Sequence, residues 1–473
     1  MPPLTLDPHK EFAEKNHILL QQIYEGLVRF DAEGRIEPAL AVSWTRIDAL
    51  RMRFKLREGV RFHNGDPFTA NSVRFTVERY LDPKTGFPAL GFISSLDRAE
   101  VVDELTVDLI THYPDGLLLN RLAGFILIVP EEHVRKAGDT ALNDAPVGTG
   151  PFVFDHRKEK EEIALVRNKN YWMKDAPKVN ELIFRFVPWE RQVEDLLNGK
   201  IDIVTELPGT QTAQVMKSKV ARVIKRDTLY QMIIPISVSS GPLTDVRVRK
   251  ALNYALNKEE IIRYDLLGNG KILAGVAMKG KEGYNPDLTP YPFDPKKARA
   301  LLKEAGYDGN LKLRMLFKEQ GARAAGIIRR QFEAVGIGVS AVSTDDSRVI
   351  QDIGLKTWDL VVGGCPDPMV HSYFILCLIL HSRSPYSIAD YPEFDRRLED
   401  MATTLDSEDR NRKARALDRF VYDESLTLFT YQRIKTYGVN RKVKFYPSVT
   451  GMPHFFSIEK AGDAKPAVSA ATP

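Results

Sequence analysis

Residues 311–342 read LKLRMLFKEQGARAAGIIRRQFEAVGIGVSAV, and this stretch decides the fold class. Leu311–Phe317 alternates apolar and polar residues as a strand does. Ala324–Val335 places its apolar residues at helical spacing, and Gly338–Val342 returns to strand chemistry. Strand, helix and strand within 32 residues is a compact βαβ unit. Just upstream, Asp294-Pro295 opens a helix over Lys296–Glu304 that Gly306 closes, with aspartate as cap and proline at the first position. Asp245–Leu256 is a second capped helix, its apolar residues at 246, 248, 251, 252, 255 and 256 forming one face.

Further towards the N-terminus the two element types keep alternating. Ile163–Arg167, Leu182–Val187 and Ile201–Val204 read as strands, and Val193–Leu197 as a helix ended by Asn198-Gly199. Val101–Leu109 reads as two short strands around Asp103-Glu104. Residues 50–62 alternate charge and apolar side chains as a strand with one solvated face. Asn64-Gly65-Asp66-Pro67 turns the chain, Thr69 caps the next helix, and residues 11–29 hold helical spacing until Gly26. The reading is a mixed α/β protein in several lobes.

Composition narrows the function. The chain has 473 residues, 67 Lys+Arg against 63 Asp+Glu, a formal charge of +4, 43% hydrophobic and 27% charged residues. That is the balance of an ordinary soluble globular protein of two to four domains, or one large domain built of lobes. It excludes bulk disorder, collagen and coiled coil, and gives no field that argues for nucleic acid. Two cysteines, Cys365 and Cys377, exclude a disulfide scaffold and a Cys-rich zinc site. Leu117–Val129 is interrupted by Asn120 and Arg121, and Tyr373–Leu380 is too short, so neither spans a bilayer. The N-terminus lacks a basic region and an apolar core, as in an intracellular protein or a mature form without its leader. Residues 461–473 read as a frayed, disordered tail.

Catalytic and cofactor motifs are absent from the sequence. Gly268-Asn269-Gly270-Lys271 lacks the spacing of a phosphate loop, Gly336-Ile337-Gly338 lacks a third glycine, and there is no HExxH or GxSxG. The nine histidines are scattered. Cys365 with His371 leaves open a cysteine hydrolase, against an unactivated loop cysteine. The polar loop Gly363–Tyr373 follows an apolar strand and carries two glycines, two prolines, Asp367, His371 and Tyr373. Two readings stand: a rigid ligand-binding wall, or a structural turn capped by Asp367.

Several ordered motifs carry a resemblance. They are Tyr24-Glu25-Gly26-Leu27, Phe54–Ala70 (FKLREGVRFHNGDPFTA), Val147–Phe152, Asn168–Trp172, Asn198–Asp202, Asp245–Ala255 and Asp294–Tyr307. With them the chain resembles the extracytoplasmic solute-binding proteins of peptide- and nickel-type ABC importers, family 5. The resemblance implies a two-lobed periplasmic-binding-protein fold, type II-like, with an extra subdomain on the first lobe. The implied first lobe comprises 1–44, 148–238 and a return segment 441–460, the subdomain 45–147, and the second lobe 239–440. It implies a monomeric carrier, periplasmic or extracytoplasmic, that closes over a small peptide or peptide-like solute and delivers it to a membrane permease. No catalysis, cofactor or resident metal is implied. Metal chelates, opines and oligosaccharides are alternative cargoes on the same scaffold, and a signalling ligand-binder is an alternative role.

Site residues follow from the same resemblance. Peptide-binding members carry an amine-pairing aspartate where this chain has Gly364, and an aromatic where it has Val361; Ser237 stands near a usual asparagine. Asp367 is the leading contact, against a loop cap. His371, Tyr373 and Cys365 share its loop. Tyr24, Tyr230 and Met232 are expected as walls, Phe87 and Phe92 as closing aromatics, Arg98 as a partner for an acidic group, and His454 as a lining residue from the return segment. The FHNGDPFTA and DVRVRKALNYAL motifs are read as architectural.

Overall fold

A computed structural model describes residues 3, 5–207 and 209–461; the expected tail, apart from Ala461, lies outside the described residues. Helix α1 covers Glu14–Ile23, shorter than the periodicity over 11–29 suggests. It stops because Tyr24 turns extended and Gly26 must let a carbonyl pass: a Cβ there would sit 2.6 Å from the oxygen of Ile126.

Strands β1 (Val28–Phe30) and β2 (Ile36–Pro38) form a hairpin. An antiparallel sheet follows in the order β3-β4-β6-β5, from Ala41–Arg46, Arg51–Leu56, Thr106–Thr111 and Leu96–Asp103. In β4 the alternation works as read, with Met52, Phe54 and Leu56 buried and the basic residues on the other face. The strand ends at Leu56, short of residue 62. Thr69 and Ser72 close a reciprocal capping box on the next helix. A second antiparallel sheet joins β7 (Phe152–Lys158), β8 (Glu162–Arg167) and β9 (Glu181–Arg185).

The stretch 311–342 folds as its pattern demands. Strand β13 (Leu311–Lys318) lies between β14 (Ile337–Thr344) and β15 (Leu360–Val362), parallel to both, and helix Ala322–Glu333 makes the crossover. Asp245 and Asp294 accept from the backbone N–H groups of Arg247 and Lys297 at 2.8 and 2.9 Å, the caps their sequences announce.

Two long strands tie the molecule together. β11 (Ala221–Pro235) and β17 (Thr427–Asn440) pair antiparallel from Ala221↔Asn440 to Pro235↔Thr427, each reaching ~45 Å at about 3.3 Å per residue. β10 (Ile203–Val204) and β12 (Gly270–Ile272) add to β17, and β16 (Gly364–Cys365) to β11. One end of the pair packs with Tyr437 and Val439 in one apolar core, the other with Met232, Phe429 and Tyr431 in a second. Between them the register breaks: Asp227 faces Ile434, but Gln231 faces Gln432. The bulge is fixed by Thr228 Oγ1 donating to the carbonyl of Arg433 at 2.9 Å and by Gln432 Nε2 donating to that of Thr228 at 2.8 Å. Among the described residues, no helix is long and apolar enough to cross a membrane.

Candidate functional site

The bulge turns Tyr230 into a crevice of about 100 Å³, partly open to solvent, whose walls include Glu14, Lys15, Glu206, Arg433 and Lys435. Its charges are paired. Lys435 Nζ lies 2.8 Å from Glu14 Oε1 and donates to the carbonyl of Gly451 at 3.2 Å. Arg433 and Glu206 form a second pair, and the Arg433 guanidinium stands 5.4 Å from the Tyr230 ring centre. Burial works against the charge of Lys435, but Glu14, Tyr437 and Glu206 together hold its pKa above the ordinary lysine value. Lys15 of α1 also acts on the Lys318–Asp346 pair, held at 2.8 Å, and helps to lower the pKa of Asp346.

On the other side of α1 lies a second, narrow cavity of about 40 Å³, lined by His17, Gln21, Arg29, Pro368, Met452 and His454 among others. Gln21 and Gln22 reach the carbonyl of Pro453 at 2.9 and 3.3 Å, and Gln22 accepts from Phe455 N–H at 2.9 Å, stitching the return segment to α1. Burial holds both imidazoles neutral, lowering His17 to about 4 and His454 to about 3.

The Gly363–Tyr373 loop is placed differently from expectation. Asp367 is 4% exposed, and its Oδ1 accepts from Met369 N–H at 2.9 Å, so it caps its own loop. Burial pushes its pKa up to about 8. His371 is buried, its Nδ1 accepting from Tyr373 N–H at 3.0 Å and its Nε2 lying 3.7 Å from Glu282. Tyr373 lies beneath the guanidinium of Arg121, which donates to Asp115 at 2.8 Å and to the carbonyl of Phe92 at 2.5 Å. Asn120 Nδ2 holds the carbonyl of Met369 at 2.9 Å. The loop is thus clasped by helix Leu118–Phe125 instead of standing as an open wall. Burial raises the Cys365 thiol to about 12, and His371 is engaged by Tyr373 and Glu282, so no activated dyad forms there.

Other expected contacts belong to the core or the surface. Tyr24 is fully buried, its hydroxyl taken up by the carbonyl of Leu6 at 3.1 Å. Met232 sits in the core beneath the bulge, opposite Gly364. Phe87 packs edge-on against Tyr80, and Phe92 stacks on Phe125 and touches Phe374. Arg98 is a surface side chain paired with Asp97 and Glu100 on β5. Tyr24, Tyr230, Gly364 and His454 do line or underlie the cavities. Glu14, Lys15, His17, Gln21, Glu206, Arg433 and Lys435 escaped sequence reading. The one available signal was His17 and Gln21, one turn apart on the same face of α1.

Two α/β halves joined by a long strand pair, with a charged crevice beside its bulge, define a two-lobed solute-binding protein. The chain belongs to the bacterial extracellular solute-binding proteins, family 5, whose middle-region model matches residues 35–386. It is 27% identical over 348 residues to the glutathione-binding protein GsiB of Escherichia coli O1:K1, covering 72% of this chain and 67% of that one. Among solved structures it resembles the periplasmic binding protein AgaA of A. tumefaciens R10 in complex with agropinic acid. The identity is 25%, the TM-score 0.83, and the match covers 97% of each chain. It also resembles Helicobacter pylori DppA in complex with the peptide STSA, at 23% identity, TM-score 0.83 and 96% of each chain.

Proposed function

We propose that this protein captures a small peptide or peptide-like solute between its lobes and delivers it, unaltered, to the membrane permease of an ABC importer. In this reading it works as an extracytoplasmic monomer, with residues 239–440 as the second lobe and 45–147 as a subdomain of the first. The observation that carries the cargo class is the crevice at the bulge, where Glu14–Lys435 and Glu206–Arg433 set both signs of charge around the Tyr230 phenol. A zwitterionic backbone meets such a wall with both its charges, whereas an apolar solute would strip water from the two ion pairs without adding any polar contact. The likeness to a glutathione binder and to a peptide-bound structure supports the same class.

Glutathione and a panel of di- and tripeptides are the probes. A ligand that binds only the folded protein stabilises it by about 2.7 kcal/mol at a hundred times its Kd, so a true cargo raises the melting temperature steadily with the logarithm of its concentration. No rise with any member of the panel counts against the reading.

A further inference from the structure

A cavity of about 910 Å³ opens on the opposite face of the β11–β17 pair from the Tyr230 crevice. Leu229 and Gln432 line it, each next in sequence to Tyr230 and Arg433, and successive strand residues point to opposite faces. One wall is the β1–β2 turn at Glu33, Gly34 and Arg35; the other is the chain from β12 to Pro290. The two walls meet where Lys281 Nζ donates to the carbonyl of Glu33 at 2.7 Å. The second wall is firmly built. Asp418, 2% exposed, accepts from Val276 N–H at 2.7 Å, and Gly275 makes room for it: a Cβ there would stand 2.9 Å from Asp418 Cγ. Gly283 N–H donates to Asn411 Oδ1 at 2.8 Å.

The acidic side chains on these walls are already matched. Glu33 pairs with Arg226 at 2.7 Å, Asp227 with Lys271, and Glu282 with Arg410 at 2.8 Å. Burial raises the pKa of Asp418 to about 7, which removes much of its charge at neutral pH. Arg35 is held by Asp31 at 2.7 Å. Lys279 and Lys281 differ from these cations. They flank Gly280, which takes a left-handed φ of 80°, and both line the cavity. Among the described residues neither has a carboxylate within ion-pair distance. Lys281 is half-buried, and the neutral Glu33 carbonyl is its one hydrogen-bond acceptor among the described residues, so its lost hydration is not returned by an anion.

Two ammonium groups without counter-charge, beside apolar side chains of Leu273, Met278 and Leu288, fit an anion with an organic body. Lysine is a compact point charge with three donors, which suits the oxygens of a phosphate. The arginine forks that would grip a carboxylate two-pronged, Arg35 and Arg226, are occupied by Asp31 and Glu33. We propose that this cavity is a second ligand site, taking a small phosphate monoester whose phosphate lies between Lys279 and Lys281 and whose organic part lies against Leu273, Met278 and Leu288. It is separate from the crevice assigned to the peptide-like cargo, and neither reading depends on the other.

Phenyl phosphate is the probe, titrated calorimetrically into the whole protein at fixed ionic strength, with inorganic phosphate, phenol and benzoate as comparators. Each comparator lacks the apolar body or the dianionic head and should bind about tenfold more weakly. Lys281→Met should weaken phenyl phosphate about tenfold, and Lys279→Met, at an exposed position, about threefold. Among the described residues Lys279 has no ion-pair partner to lose, so its variant tests the site even where Lys281→Met folds poorly. Lys84→Met removes the same charge from an exposed lysine off the cavity wall and should leave affinity unchanged. Four results overturn the proposal: no binding of phenyl phosphate, benzoate or inorganic phosphate binding as tightly, affinity untouched by both cavity lysine variants, or a loss from Lys84→Met equal to that from Lys279→Met. The peptide titrations are run separately, so failure here leaves the cargo reading standing and failure there leaves this site standing.

Discussion

The ring of Tyr230 lies directly over Gly364: a Cβ on Gly364 would stand 2.6 Å from a ring carbon and 2.7 Å from the hydroxyl oxygen. The two residues sit on paired strands, Gly364 opposite Met232 in the β11–β16 ladder. Glycine is required here so that a phenol, backed by Arg433, can form the crevice wall.

Gly364→Ala forces the ring aside. Overpacking of this kind costs about 1–3 kcal/mol, and here it also moves Tyr230 within the crevice. The cost should shrink in a Tyr230→Ala background, a coupling that a double-mutant cycle of urea midpoints reads directly. Additive effects would show that the ring and the glycine are independent.

Asp367 gives stability a pH slope. Burial raises its pKa from an ordinary 3.8 to about 8. The unfolded chain loses this proton near pH 4, whereas the native state keeps it to about pH 8. Between those limits the native state binds more protons, and stability falls as pH rises, by about 1.4 kcal/mol per pH unit for one proton. Asp418, raised to about 7, adds to the fall at lower pH. Asp367→Asn retains an acceptor for Met369 N–H and should flatten the slope between pH 5 and 8 in urea titrations.

Arg121 is 2% exposed and bound to Asp115, the Phe92 carbonyl and the Tyr373 ring. Removing it strands the Asp115 carboxylate, which is also buried. Arg121→Ala should destabilise by about 3–5 kcal/mol, and the double variant with Asp115→Ala by less than the sum of the two. Chemical denaturation measures both.

Asp245→Ala removes the acceptor for Arg247 N–H at a helix start remote from the cavities. A loss of about 1 kcal/mol in stability is expected, with affinity for any peptide hit unchanged. A large loss of affinity would mean that this motif does more than build the helix.

Much of the fold was legible because its causes are local. The caps at Asp245 and Asp294, the box at Thr69 and the βαβ unit at 311–344 depend on residues within a few positions of one another, and each forms where its pattern stands. The same locality let ordered motifs carry the family. What was misplaced depended on distant neighbours. Nothing near residue 367 announces that helix Leu118–Phe125 will clasp that loop, whereas the partners of Arg98 are its own sequence neighbours Asp97 and Glu100.

The sequence by itself therefore determined the elements, their order and the family, because hydrophobic period and capping act over one or two turns of chain. Tertiary structure alone decided the site. Tyr230 meets Gly364 through strand pairing, Glu14 meets Lys435 across 421 positions, and His17 shares a cavity with His454. Those meetings follow from the long β11–β17 pair and from the return of residues 450–455 onto α1, which bring together side chains whose local sequence carries no trace of the encounter.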